Sequence, residues 1–148
     1  MATALDPPNF STADLDRPRC LELLRSAPIG RVVLSVGCIP VAVPVNLSVL
    51  EEDVVFCTDT GSKLDAAVHG QVLSIEVDDI DLTYHTGWSV LVTGIASVVT
   101  DAAVVEWASS HLLPWAPGPH PFLVKVPSTS ISGRCLTWDG PRIAGTRA

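Results

Sequence analysis

The segment Phe56-Cys57-Thr58-Asp59-Thr60-Gly61-Ser62-Lys63 concentrates groups that could hold an anion. It passes from a valine-rich strand pattern, through a turn with a glycine, into a helical pattern. The first N–H groups of a helix lack internal partners and carry the positive end of its dipole. Hydroxyls from Thr58, Thr60 and Ser62 stand beside them, and Lys63 adds a full charge. Such a set fits a phosphate. The GxxxxGKS/T spacing of a P-loop is absent. The same residues have a purely structural alternative, in which Thr60 or Ser62 caps the helix and Lys63 is solvated. Asp59 opposes an anion here unless its side chain points away.

The other chemistry-bearing residues form no comparable group. His69, His85, His111 and His120 share no ligand spacing, and Cys20, Cys38, Cys57 and Cys135 include no CxxC pair. No metal site is therefore expected. His85 precedes Gly87-Trp88-Ser89 and could face a cleft, whereas His69 suits a helix C-terminus. Asp78, Asp79 and Asp81 lack the ligand spacing of a calcium loop and fit a solvated turn. Ser35, Ser48 and Ser89 stand outside any GxSxG setting. Arg31 either approaches an anion or an interface, or forms an outward salt bridge. Trp88 suits an interface or a cofactor contact, and Trp107 the core. Trp115 fits a lid or a loop anchor, and Trp138 surface packing. No side chain presents itself as a catalytic acid, base or nucleophile.

The elements that must position these residues are mostly strands. Residues 1–13 fit a flexible leader, residues 14–140 one domain, and residues 141–148 a tail. Asp14 or Asp16 can cap a short helix with Pro18 in its first turn, Leu21 and Leu24 on its apolar face, and Pro28 at its end. Strands are expected over 29–36, 41–50, 54–58, 71–78, 87–100, 122–126 and 131–138. Gly37-Cys38 turns the first pair, and Gly94 marks a bend or bulge. Helices are expected over 62–69, stopped by Gly70, and from Asp101 to about residue 110. Short strands at such spacing predict a barrel or sandwich.

Several segments, taken in order, resemble the FMN-binding split-barrel family of pyridoxamine 5'-phosphate oxidase-like flavoproteins. They are Gly30-Arg31-Val32-Val33, Pro44-Val45-Asn46, Thr58 with Gly61-Ser62-Lys63, Gly87-Trp88-Ser89-Val90 with Gly94, Pro114-Trp115, and Gly133-Arg134. The resemblance implies a mainly β fold, a six-stranded antiparallel Greek-key split barrel with flanking helices. It implies a homodimer with FMN at the interface. Pro44, Val45, Asn46 and Leu47 would then run along the isoalloxazine ring, and Thr58, Ser62 and Lys63 would hold the phosphate. Trp88 and Ser89 would reach the flavin near the interface, from the same or the partner subunit, with Trp115 and Arg134 at the cleft rim. Two positions depart from the pattern: Cys57 stands where many relatives carry arginine, and Leu47 where an aromatic is frequent. The basic residues that hold substrate phosphate in vitamin B6 oxidation are not evident at the C-terminus.

The expected activity is that of an oxidoreductase passing hydride at flavin N5 with a nicotinamide or a small substrate. Two alternatives stay open. One is a deazaflavin-dependent reductase of the same fold, whose coenzyme has a long acidic tail; scarce Lys and Arg count against it. The other is a non-enzymatic flavin- or haem-binding protein, with His85, His111 or His120 as axial ligands.

Bulk composition bounds these readings. With 148 residues, 47% hydrophobic and 17% charged, the chain can build one sizeable core. A mean hydropathy of +0.39 leaves apolar surface for a partner. A formal charge of −7 argues against nucleic acid and anionic membranes. Dispersed cysteines fit a reducing, cytoplasmic setting. The uncharged run over 32–50 is interrupted by Gly37, Pro40, Pro44 and Asn46, which favours two strands over a membrane span.

Overall fold

The computed structural model describes residues 10–113 and 118–138. Nine strands and three helices follow in the order β1 (Phe10–Leu15), α1 (Arg17–Ser26), β2 (Ile29–Val36), β3 (Ile39–Leu50), β4 (Asp53–Thr58), α2 (Ser62–Val68), β5 (Val72–Asp81), β6 (Thr86–Ile95), β7 (Ser97–Val99), α3 (Ala102–His111), β8 (Phe122–Val126) and β9 (Ser130–Trp138).

Local chemistry explains most boundaries. Asp16 caps α1 by accepting from the Arg19 N–H at 2.9 Å, and the helix buries Cys20, Leu21, Leu23 and Leu24. Asp101 caps α3 in the same way, accepting from Ala103 and Val104. The β2–β3 hairpin closes through Gly37 and Cys38, both at positive φ, which is the geometry of a tight two-residue turn.

The strands are antiparallel throughout and run in the order β1-β9-β6-β5-β2-β3-β4-β8-β7. β3 belongs to both halves: its first part pairs with β2 and its last part with β4. The sheet curls until β8 packs against β5 and β6. Inside lies the larger core, with Val32, Val54, Phe56, Ile75, Val77, Val92 and Val124 fully buried. A smaller core holds α3 against the outside, through Val55, Ala108, Leu112 and Leu123.

The expected mainly β split barrel with flanking helices is the fold found, carried on nine strands where six were expected. Three other expectations are corrected. Residues 10–13, assigned to the leader, belong to β1, which pairs with β9 from Phe10↔Trp138 to Leu15↔Gly133. The acidic residues Asp78, Asp79 and Asp81 lie in β5. The turn begins after them, with Asp81 Oδ1 accepting from the Thr83 and Tyr84 N–H groups. The strand expected over 87–100 is two strands, broken at the buried Ala96, whose N–H donates to the Gln71 carbonyl at 2.9 Å. Residues 1–9 and the tail over 141–148 lie outside the described residues. Among the described residues no helix is long and apolar enough to cross a membrane.

Candidate functional site

β3 and β4 pair only from Leu47↔Phe56 to Leu50↔Asp53. Beyond Leu47 and Phe56 the two strands part, because β3 turns to β2 while β4 keeps β8 on its other side. The gap is a cleft of about 100 Å³ lined by Pro44, Val45, Asn46, Cys57, Thr58, Asp59, Lys63, Leu112 and His120. Each neighbour brings one part of it. Phe122 of β8 pairs with Thr58, so His120, two residues upstream, arrives beside the exit of β4. Leu112 is the C-cap of α3. Lys63 sits in the first turn of α2.

Five expected residues, Pro44, Val45, Asn46, Thr58 and Lys63, thus meet at one place. Among the described residues Lys63 forms no ion pair, and Asp59 is the acidic residue beside it. Thr58 is buried at 3% exposure, and its hydroxyl donates to the Asp59 carbonyl at 3.2 Å. Burial pushes the Cys57 thiol above its ordinary pKa, so that group stays neutral. The cleft walls are therefore apolar from Pro44, Val45 and Leu112, with one full cation, one carboxylate and an imidazole at the rim.

Neither Thr60 nor Ser62 caps α2, contrary to the structural alternative. Gly61 takes the N-cap position at φ 140°, and no side chain bonds the first-turn N–H groups. Ser62 is half-buried but is not among the residues lining the cleft. Leu47 turns inward and is buried at 4% exposure. It packs over Gly30, where a Cβ would come within 2.6 Å of its Cδ2.

Trp88, Ser89 and Arg134 form a second group. Trp88 pairs with Cys135 and Ser89 with Arg134 across β6 and β9. They border a separate depression of about 250 Å³ with Ile80 and Leu136. In sheet order, β5 and β2 stand between this group and β3. Among the described residues the two groups line separate depressions. Trp115 lies outside the described residues.

The remaining residues have structural roles. Arg31 points outward and bridges Glu76 at 2.8 Å and Asp78 at 3.3 Å, and the Glu76 hydrogen bond, with that to Asp78, raises its pKa. His85 sits in the β5–β6 turn with its ring 6.0 Å from that of Phe10. His111 stacks on Trp107 at 4.3 Å. Trp138 packs edge-on against Phe10. Among the described residues no group of three His, Cys, Asp or Glu side chains could bind a metal. Sequence reasoning did not assign His120 or Leu112 to the cleft; it placed Asp59 in the same segment, as a charge opposing an anion. Only the β4–β8 register brings His120 there, and that pairing spans sixty-odd residues without a local signal.

The sequence profile of pyridoxamine 5'-phosphate oxidases matches residues 16–135. The chain belongs to this family. An uncharacterized protein of Mycobacterium tuberculosis is 38% identical over 107 residues, covering 69% of this chain and 70% of that protein. The FAD-binding protein of Mycobacterium smegmatis superposes with a TM-score of 0.65 at 32% identity, over 84% of this chain and 98% of that one. An FAD-binding protein of Mesorhizobium loti superposes with a TM-score of 0.72 over 86% and 98% of the two chains; at 19% identity this is a likeness of fold. The family match begins at Asp16, so β1 lies outside the part shared with the pyridoxamine 5'-phosphate oxidase profile.

Proposed function

We propose that this chain binds a phosphorylated flavin, FMN in our reading, and acts as a flavin-dependent oxidoreductase in the reducing cytoplasm. The observation that carries the proposal is the cleft between β3 and β4. Two segments, residues 44–46 and 57–63, deliver to it an apolar wall, an amide and a lysine that forms no ion pair among the described residues. Those groups match the three parts of a flavin phosphate. Pro44 and Val45 offer flat apolar surface to a ring system, Asn46 can hydrogen-bond a polar ring edge, and the Lys63 ammonium can donate to a phosphate oxygen. Bound there, the flavin would supply hydride transfer at N5; the chain's task is binding, orientation and exclusion of water. FAD is a second reading, favoured by the 32% identical M. smegmatis protein, which is described as FAD-binding.

A second copy of the chain belongs to the same proposal. A cleft of about 100 Å³ is small beside pockets of roughly 300–1,000 Å³ that enclose small ligands, so it offers one wall of a site. The Trp88–Ser89–Arg134 group, which lines a separate depression among the described residues, is suited to be the other wall. Free thiols at all four cysteines agree with a reducing compartment.

Titration of the purified protein with riboflavin, FMN and FAD, followed by visible absorption and fluorescence, tests this reading. Lys63→Ala should weaken FMN binding by about 10- to 100-fold, the worth of a charged hydrogen bond, and leave riboflavin nearly unchanged. Equal losses for both would remove Lys63 from the phosphate. A protein that takes up none of the three would end the flavin reading.

A further inference from the structure

On β2 and β5 the buried Val32, Ile75 and Val77 point into the larger core, so their alternates Arg31, Glu76 and Asp78 point outward. The helices have their main packing elsewhere: α1 enters that core, α2 lies against β7 and β8, and α3 covers the smaller core. Arg31 bridges Glu76 at 2.8 Å and Asp78 at 3.3 Å, with side chains 51%, 27% and 31% exposed, so the cluster is open to a partner. Both of these bonds leave from Nη1, so Nη2 can donate to a further carboxylate.

The sheet is symmetric about this cluster in what its strands carry. From the β5–β2 junction, β6 and β9 follow on one side with Ser89 and Arg134, and β3 and β4 on the other with Asn46 and Thr58. The levels along the strands agree as well. Arg31 pairs with Glu76, and the same register continued by two residues sets Ile29 level with Asp78. Ile29 pairs with Asn46 and Asp78 with Ser89, so Asn46 and Ser89 share one row across the sheet.

We propose that the Arg31–Glu76–Asp78 cluster is the two-fold seam on which a second copy of this chain docks, Arg31 of each copy facing Glu76 of the other. A two-fold axis along the strands, between β5 and β2, lays β5 of one copy over β2 of the other, β6 over β3 and β9 over β4. Symmetry then sets cation against carboxylate twice at the seam. The same operation carries Ser89 over the second copy's Asn46, and Arg134 over the end of its β4, where the cleft opens. The inference rests on the two-walled flavin site above and names the contact that fixes its geometry.

Charge reversal separates a seam between copies from bridges within one. Arg31→Glu leaves three carboxylates in the cluster, and the double change Glu76→Lys with Asp78→Lys leaves three cations. Each variant repels itself across the axis and should dimerise at least about tenfold more weakly than wild type in sedimentation equilibrium. Mixed in equal amounts, the two should form dimers of one chain each and take up FMN, because only the other copy supplies the opposite charge. Circular dichroism follows the folding of each. Where a reversal does not fold, Arg31→Gln takes its place and should weaken dimerisation by several-fold. Wild-type dimerisation in folded Arg31→Glu or Arg31→Gln, or no association on mixing two folded reversals, overturns the seam and leaves flavin binding intact. A wild-type chain that binds FMN as a monomer overturns both the seam and the second wall. A wild-type chain that binds no riboflavin, FMN or FAD ends the flavin reading, and the association of the mixed variants then judges the seam by itself.

Discussion

Cys57 shows how a thiol lining a cleft can be chemically quiet. It lines the cleft beside Thr58 and Asp59, yet burial raises its thiol pKa, which keeps the thiolate scarce at neutral pH. The thiolate is the reacting form, so reactivity should track exposure and pKa together. Cys38 lies exposed in the β2–β3 turn and provides an internal comparison. Alkylation at about pH 8, followed residue by residue by peptide mass spectrometry, should label Cys38 well ahead of Cys57. Saturating flavin should slow Cys57 further and leave Cys38 unchanged. Faster labelling of Cys57 than of Cys38 would contradict the burial that raises its pKa. Lys63 differs in kind, because among the described residues it makes no ion pair. Arg31, Arg17, Arg19, Arg134 and Lys125 are bridged to carboxylates and Arg25 donates to the Glu51 backbone carbonyl, while Lys63 lines the cleft.

At the scale of elements, Gly94 is the position where closure of the barrel is decided. From sequence it reads as a bend or bulge within a strand. In the fold it is a contact point: a Cβ there would overlap the Pro127 carbonyl oxygen and lie 3.1 Å from the proline Cδ. The chain leaving β8 must cross β6 at that spot, and backbone cannot yield as a flexible side chain can. Gly94→Ala should therefore cost at least about 1–3 kcal/mol, the usual range for overpacking. That would appear as a melting temperature lower by several degrees. An unchanged melting curve would mean that the crossing is looser than described. The same position shows what a sequence reveals and what it hides. Strands with alternating Val and Ile, Asp-capped helices and the Gly37-Cys38 hairpin were legible because each has a local signature. β1 was not, since Phe10–Leu15 is largely exposed and is held by backbone pairing to β9. Pro44, Val45, Asn46, Thr58 and Lys63 were legible as two motifs and fell together through the β3–β4 hairpin. His120 was not, because its place depends on a pairing between β4 and β8 that no nearby residue announces.

For the whole molecule, the separation of the two residue groups makes a quantitative test possible. Lys63 lies in the β3–β4 cleft and Trp88 on β6, with β5 and β2 between β6 and β3 in the sheet. If one flavin is held by Lys63 from one copy and Trp88 from the other, a symmetric dimer has two such sites. Lys63→Ala and Trp88→Ala should each weaken both sites when present alone. Mixing the two variants in equal amounts, after reversible dissociation, gives heterodimers in which one site carries both changes and the other carries neither. Random pairing makes about half of the dimers mixed, so tight flavin binding should return to about a quarter of the wild-type capacity. Sedimentation velocity on the same samples would give the oligomeric state. Exposed apolar residues around the second group, including Ile80, Leu82 and Leu136, supply surface for such a contact. A site built within one chain predicts instead no recovery at any mixing ratio. Recovery of a quarter of capacity from two defective proteins would place the flavin between subunits, because no rearrangement inside a single variant can restore the missing side chain.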